Sequence, residues 1–204
     1  MRKLLPFIAL LLFLAAPAKA QQWAVSTNSL DYLNFGTLNA EGSVAVSRRI
    51  VLDVGAKFNP WTFGNSSNPE TIRQNRQRMV HAGVQWYPWF IYDGWHFDAF
   101  AAWKEYNIGG IFSQTTEEGD AFGGGIGVGY TLPIHKSFNL DFGAAMWMGA
   151  KTYTVYSCPV CGKFMEQGTK FFIMPTNVTI GAKWIFGSPR EKKAGRQKTN
   201  YVEL

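Results

Sequence analysis

Two cysteines, three histidines and a scatter of carboxylates and lysines are the groups in this chain that could do chemistry. Cys158-Pro159-Val160-Cys161-Gly162 is the sharpest local motif. A C-P-x-C-G turn binds zinc or iron when two such knuckles converge, and C-x-x-C is a redox motif inside thioredoxin-like βαβ units. Cys158 and Cys161 are the only cysteines, so a second knuckle is missing, and no βαβ pattern surrounds them. The expected state is a disulfide that closes the tip of a loop in an oxidising compartment. No cofactor and no metal site is expected.

The second set is dispersed: Glu41, Asp53, Lys57, His81, Asp98, Lys104, Asp141, Lys151 and Lys183. Each occupies the polar position of a segment in which apolar and polar residues alternate, and a period of two puts all members of one class on one face of a strand. Eight such segments can be counted. The first runs over 23–30 and the second over 37–46, where Leu38, Ala40, Gly42 and Val44 oppose Asn39, Glu41 and Ser43. The third begins at Ile50, the fourth spans 79–87, the fifth 95–108, the sixth 122–130 and the seventh 138–151. The eighth is Thr179-Ile180-Gly181-Ala182-Lys183-Trp184-Ile185-Phe186. In the sixth, Gly123, Gly125, Gly127 and Gly129 fill the inward face, leaving either a cavity or room for bulky neighbours such as Phe100 and Trp147.

Composition separates a lipid-facing barrel from a soluble sandwich. Aromatics make up 16% of the chain and charged residues 17%, with 21 Gly, whereas a soluble sandwich would carry more charge outside. Arg2 and Lys3, the apolar run 4–16 and Ala18-Lys19-Ala20 read as a signal peptide, since the run is too short for a membrane-spanning helix. The formal charge of +6 is concentrated in that leader and in the basic end of the chain, leaving little support for a nucleic-acid partner. The expected organisation is a leader over 1–20, a barrel over 21–187 and a disordered periplasmic tail over 188–204. The fold expected is an all-β, eight-stranded antiparallel transmembrane β-barrel of the outer-membrane type.

The links support this. Those at 31–36, 60–75, 109–120 and 157–170 are mostly longer than those at 47–49, 88–94 and 132–136, which is the asymmetry of barrels with periplasmic termini and extracellular loops. The nine charged groups then face a lumen that eight strands leave barely wide enough for side chains. Mutual pairing in a plugged core is one expectation, and a narrow conduit or small ligand site is the other. Small outer-membrane barrels also include lipid-modifying and proteolytic enzymes with rim sites. His96 and His135 fall near the short turns, so His81 is the one acid–base candidate. In the loops, Trp61, Phe63 and Tyr106 could serve as surface contacts or belong to an outer aromatic girdle, with Trp86, Trp89, Trp95, Tyr130, Trp184 and Phe186 in the inner one.

Asn59-Pro60-Trp61-Thr62-Phe63 and Tyr106-Asn107-Ile108-Gly109-Gly110 carry a resemblance. The chain resembles an uncharacterised family of small outer-membrane barrels, a domain of unknown function, and more distantly the OmpA/OmpX class. That resemblance implies a cell-surface role near fimbrial and envelope proteins, and implies no catalytic residues. Thr179, Gly181, Trp184 and Phe186 likewise resemble the C-terminal signal read by barrel-assembly machinery. The partners expected are outer-membrane lipids, that machinery through 179–186, and a surface or fimbrial protein. The function expected is a structural, adhesive or surface-assembly role.

Overall fold

Strands form where β-branched and aromatic residues alternate with small or polar ones, and the turns fall at Gly, Pro and Ser clusters. The computed structural model describes residues 22–65, 68, 71–111, 113–159 and 162–187. The expected leader and tail lie outside the described residues. The strands are β1 (Trp23–Asn28), β2 (Leu38–Ala45), β3 (Ile50–Asn59), a two-residue β4 (Thr62–Phe63), β5 (Arg73–Trp86), β6 (Gly94–Gly109), β7 (Thr116–His135), β8 (Phe138–Tyr156) and β9 (Phe164–Phe186). One short helix, α1 (Ser29–Leu33), follows β1, with the Asn28 side chain accepting from the Leu30 amide at its start.

Every strand is antiparallel to its neighbours. β1 pairs with β9 from Trp23↔Phe186 to Asn28↔Gly181, and β3 pairs with β5 around β4, so the sheet closes on itself as an eight-stranded barrel. β4 only extends the edge of β5. Turns 46–49, 87–93 and 136–137 share one end of the barrel with residues 22 and 187. The other end carries 29–37, 60–72, 110–115 and 157–163. No described helix is long and apolar enough to cross a membrane, which says nothing about strands.

The outward face is an apolar belt. Cross-strand neighbours Val80, Trp103, Phe122, Ala150 and Phe171 form its edge on the side of the longer links. Two residues beyond, the row becomes Arg78, Glu105, Asp120 and Thr152, with Arg78 and Glu105 ion-paired at 3.1 Å. At the opposite edge Trp23 stacks on Phe186 at 4.3 Å and Trp95 meets Tyr130 edge-on at 5.4 Å. Trp86, Trp89 and Trp184 are exposed there too, all on the outer surface as the sequence led one to expect.

Strand lengths differ from the expectation. β7, β8 and β9 hold 20, 19 and 23 residues, so the link expected over 109–120 shrinks to 110–115 and that over 157–170 to 157–163. The strands continue past the belt with polar residues on both faces, and there the alternation that marks a strand fades. β5 similarly starts at Arg73, and the first segment ends at Asn28 because α1 takes over.

Candidate functional site

All nine residues assigned to the lumen face inward, and most of them are brought into three ionic groups. At the end with the short turns, Lys183 from β9 is fully buried and lies 3.0 Å from Asp141 of β8. Asp141 also accepts from Thr131 Oγ1 at 2.6 Å and sits 3.2 Å from His96 Nε2, while His96 Nδ1 is 2.8 Å from Asp98. The turn after β5 folds into this end. Tyr92 has a left-handed φ of 57°, and its ring and that of Tyr87 are buried across the lumen, 6.1 Å apart. Asn139 Nδ2 donates to the Tyr92 carbonyl at 2.7 Å, and Lys183 Nζ lies 5.7 Å from the Tyr92 ring. This end of the lumen is a filled plug.

Midway, three adjacent strands contribute Glu41 (β2), Asp53 (β3) and His81 (β5). His81 Nε2 lies 3.4 Å from Glu41 Oε2 and 3.7 Å from Asp53 Oδ2. Ser26 Oγ donates to the other Glu41 oxygen at 3.2 Å. His81 has space only because its neighbour is glycine: a Cβ on Gly55 would lie 2.3 Å from the His81 ring. Phe100 leans edge-on against His81 at 6.2 Å and depends in turn on Gly125, where a Cβ would lie 2.2 Å from its ring. The glycine row of β7 therefore makes room for inward side chains from the neighbouring strand.

At the end with the longer links, Lys57 pairs with Asp31 of α1 at 2.8 Å. Lys151 pairs with Glu117, which also accepts from the Tyr106 hydroxyl at 2.8 Å. Lys104 faces inward near them and forms no ion pair among the described residues. Beside them Met79, Tyr106, Trp147 and Phe172 pack as an apolar cluster inside the barrel. Next to the plug lies a cavity of ≈ 100 Å³ bordered by the Glu41, Asp53 and His81 group, Asp31 and Lys57, and the His96 and Asp141 group. That is room for a few waters or an ion.

One sequence expectation needs correcting. Tyr106 is 7% exposed and points into the barrel, so it belongs neither to a surface contact nor to an outer girdle. Its parity with Lys104 and His96 on β6 already carried that information. Trp61 and Phe63 are exposed as expected, with Trp61 Nε1 donating to the Gly36 carbonyl. His96 falls near a short turn, on the inward parity of Asp98 and Lys104, and joins the ionic network. Asp31, Glu117 and Tyr92 lie in the expected links, where periodicity assigns no face, whereas Tyr87 ends the fourth segment on the inward parity of His81 and Gln85 without a charge to mark it. His81, the acid–base candidate, hydrogen-bonds no hydroxyl among the described residues, so no nucleophile stands ready beside it.

Cys158 is disulfide-bonded at the end of β8, and Cys161, the chain's other cysteine, lies outside the described residues. No curated protein matches the chain significantly. Residues 6–186 match the family described as protein of unknown function (DUF3575), and with most of its length covered the chain belongs to that family.

Proposed function

We propose that this protein is an integral β-barrel of an outer membrane whose lumen is closed and whose contacts with other envelope components are made at its longer-strand end. The observation that carries the reading is the exterior belt. Along β7 it runs from Phe122 to Leu132, ten residue steps or about 33 Å of strand, which a tilt of about 40° reduces to roughly 25 Å along the barrel axis. That is the height of the apolar band of outer-membrane barrels, and Trp and Tyr at its edge suit an interface with lipid headgroups. The sheet closes through β1 and β9, which pair from Trp23↔Phe186 to Asn28↔Gly181, and lipid favours such closure.

A plugged lumen supports a role at the surface over one in conduction. The turns and termini would face the periplasm, and 60–72, 110–115 and 157–163 would face outward, beside the polar extensions of β7, β8 and β9. The occupant of that rim would be a surface or fimbrial protein, and 179–186 would be the segment read during barrel assembly.

The test is reconstitution of the full chain in lipid vesicles. The reading expects resistance to extraction by alkaline carbonate, a gel mobility that changes on heating, and no discrete conductance steps in planar bilayers. Deleting 157–163 should keep the mobility shift and reduce binding to envelope fractions. Extraction by carbonate would overturn the membrane assignment, steady conductance would overturn the closed lumen, and unchanged binding would remove that loop as the contact.

A further inference from the structure

We propose that Glu41, Asp53 and His81 form a site for a divalent transition-metal ion inside the barrel, with zinc the best chemical fit. The donor set is one imidazole nitrogen and two carboxylate oxygens, all within 4.8 Å of one another. Zinc binds such donors at about 2.0–2.1 Å, so tetrahedral ligands stand about 3.3–3.4 Å apart. His81 Nε2 lies 3.4 Å from Glu41 Oε2 and 3.7 Å from Asp53 Oδ2, close to that edge length. A charge-assisted hydrogen bond would instead draw the atoms to about 2.7–2.9 Å. His96 provides the contrast in the same lumen: at 2.8 Å from Asp98 it makes an ordinary hydrogen bond.

Charge balance points the same way. The other carboxylates around the cavity have cationic partners: Asp31 has Lys57, Asp141 has Lys183, and Asp98 has His96. Among the described residues, His81 is the only cationic group within 4.0 Å of Glu41 and Asp53. With both carboxylates ionised, even a protonated imidazole would leave one negative charge uncompensated in a confined space, whereas a divalent ion bound to neutral His81 neutralises both.

Asp53 is the second observation. Its side chain is 6% exposed, it forms no hydrogen bond among the described residues, and it borders the cavity. It is a buried acceptor aimed at an interior space. The supporting contacts also suit a metal site. Ser26 fixes the Glu41 oxygen that would not bind the ion, and Phe100 braces the His81 ring. The ion would join β2, β3 and β5 across the wall, with its fourth position open to the cavity for water.

The experiment uses the full chain folded in detergent micelles, stripped with a chelator and dialysed against zinc chloride. The expected result is one zinc per chain. Replacing His81→Ala or Asp53→Asn should weaken binding at least tenfold, while His96→Ala and Asp98→Asn keep the wild-type affinity. Cobalt should give the visible absorption of a tetrahedral site in the wild type and lose it in His81→Ala. Heat-dependent gel mobility checks that each variant is folded, and Glu41→Gln decides if His81→Ala is not. A folded wild type that retains no zinc, or a folded His81 or Glu41 variant that binds it as tightly, overturns the proposal.

Discussion

Replacing Asp141→Asn should be among the most damaging single changes in this barrel. Among the described residues Asp141 is the sole ion-pair partner of Lys183, whose side chain is completely buried at 3.0 Å from it, and it also accepts from Thr131 and faces His96. The substitution keeps the shape and removes the charge, so Lys183 is left as a cation without water or a counterion. Breaking a buried pair from one side costs about 3–5 kcal/mol, much of it the penalty on the partner left behind. Replacing both members by groups of similar volume is far cheaper. The double variant Asp141→Asn with Lys183→Met should therefore recover at least about half of the loss. Urea unfolding in vesicles, followed by tryptophan emission and by gel mobility, measures both. A single variant that loses less than about 1 kcal/mol, or a double variant no more stable than the single one, would refute the idea that this pair holds the inner plug.

Other expectations concern the wall, the lumen and the rim. Ile126 sits mid-belt at 63% exposed, so Ile126→Arg should cost about 2–4 kcal/mol in vesicles while Asp120→Arg, beyond the belt edge, costs roughly 0–1; equal costs would argue against the belt. Gly125→Ala forces a Cβ to within 2.2 Å of the Phe100 ring and should cost about 1–3 kcal/mol by the same assay, and a neutral result would mean the lumen is slack there. Burial opposes the ionisation of Glu117 at the rim, but hydrogen bonds from Lys151 and Tyr106 outweigh it and hold the carboxyl below its ordinary range. A lowered folded-state pKa means stabilisation that is full above the unfolded pKa and lost as pH falls through the folded one. Protection against amide exchange at the rim ends of β7 and β8, corrected for the intrinsic slowing of exchange at lower pH, should thus fall on acidification in the wild type, and Glu117→Gln should flatten that dependence.

What could be read in the sequence follows the physics of the wall. Where one side of a strand meets a uniform environment, parity alone assigns every side chain, which is why Glu41, Asp53, His81, Asp141 and Lys183 read as inward from the sequence. The same rule applied to Tyr106 gives the correct face, and its aromatic character and nearness to a link drew it outward instead. Past Asp120 and Thr152 both faces are polar, and the strand extensions became invisible. The Glu41, Asp53 and His81 group cannot be seen as a unit in the sequence because successive members are 12 and 28 positions apart on three strands, and only the register β2 to β3 to β5, which sets Glu41 and His81 opposite Gly55 with Asp53 two residues along, brings them together. The inner plug depends on a left-handed Tyr92, a backbone choice that the residue type does not advertise.

The most direct test of the membrane assignment is a depth profile along the outer face of β7. Nitroxide labels placed singly at positions 120, 122, 126, 128, 130 and 132, in a background lacking both cysteines and reconstituted in vesicles, report accessibility to oxygen against a water-soluble nickel chelate. The account predicts a ratio that rises from Asp120, peaks near Ile126 and falls again by Leu132. A flat, water-like profile across these positions would contradict it.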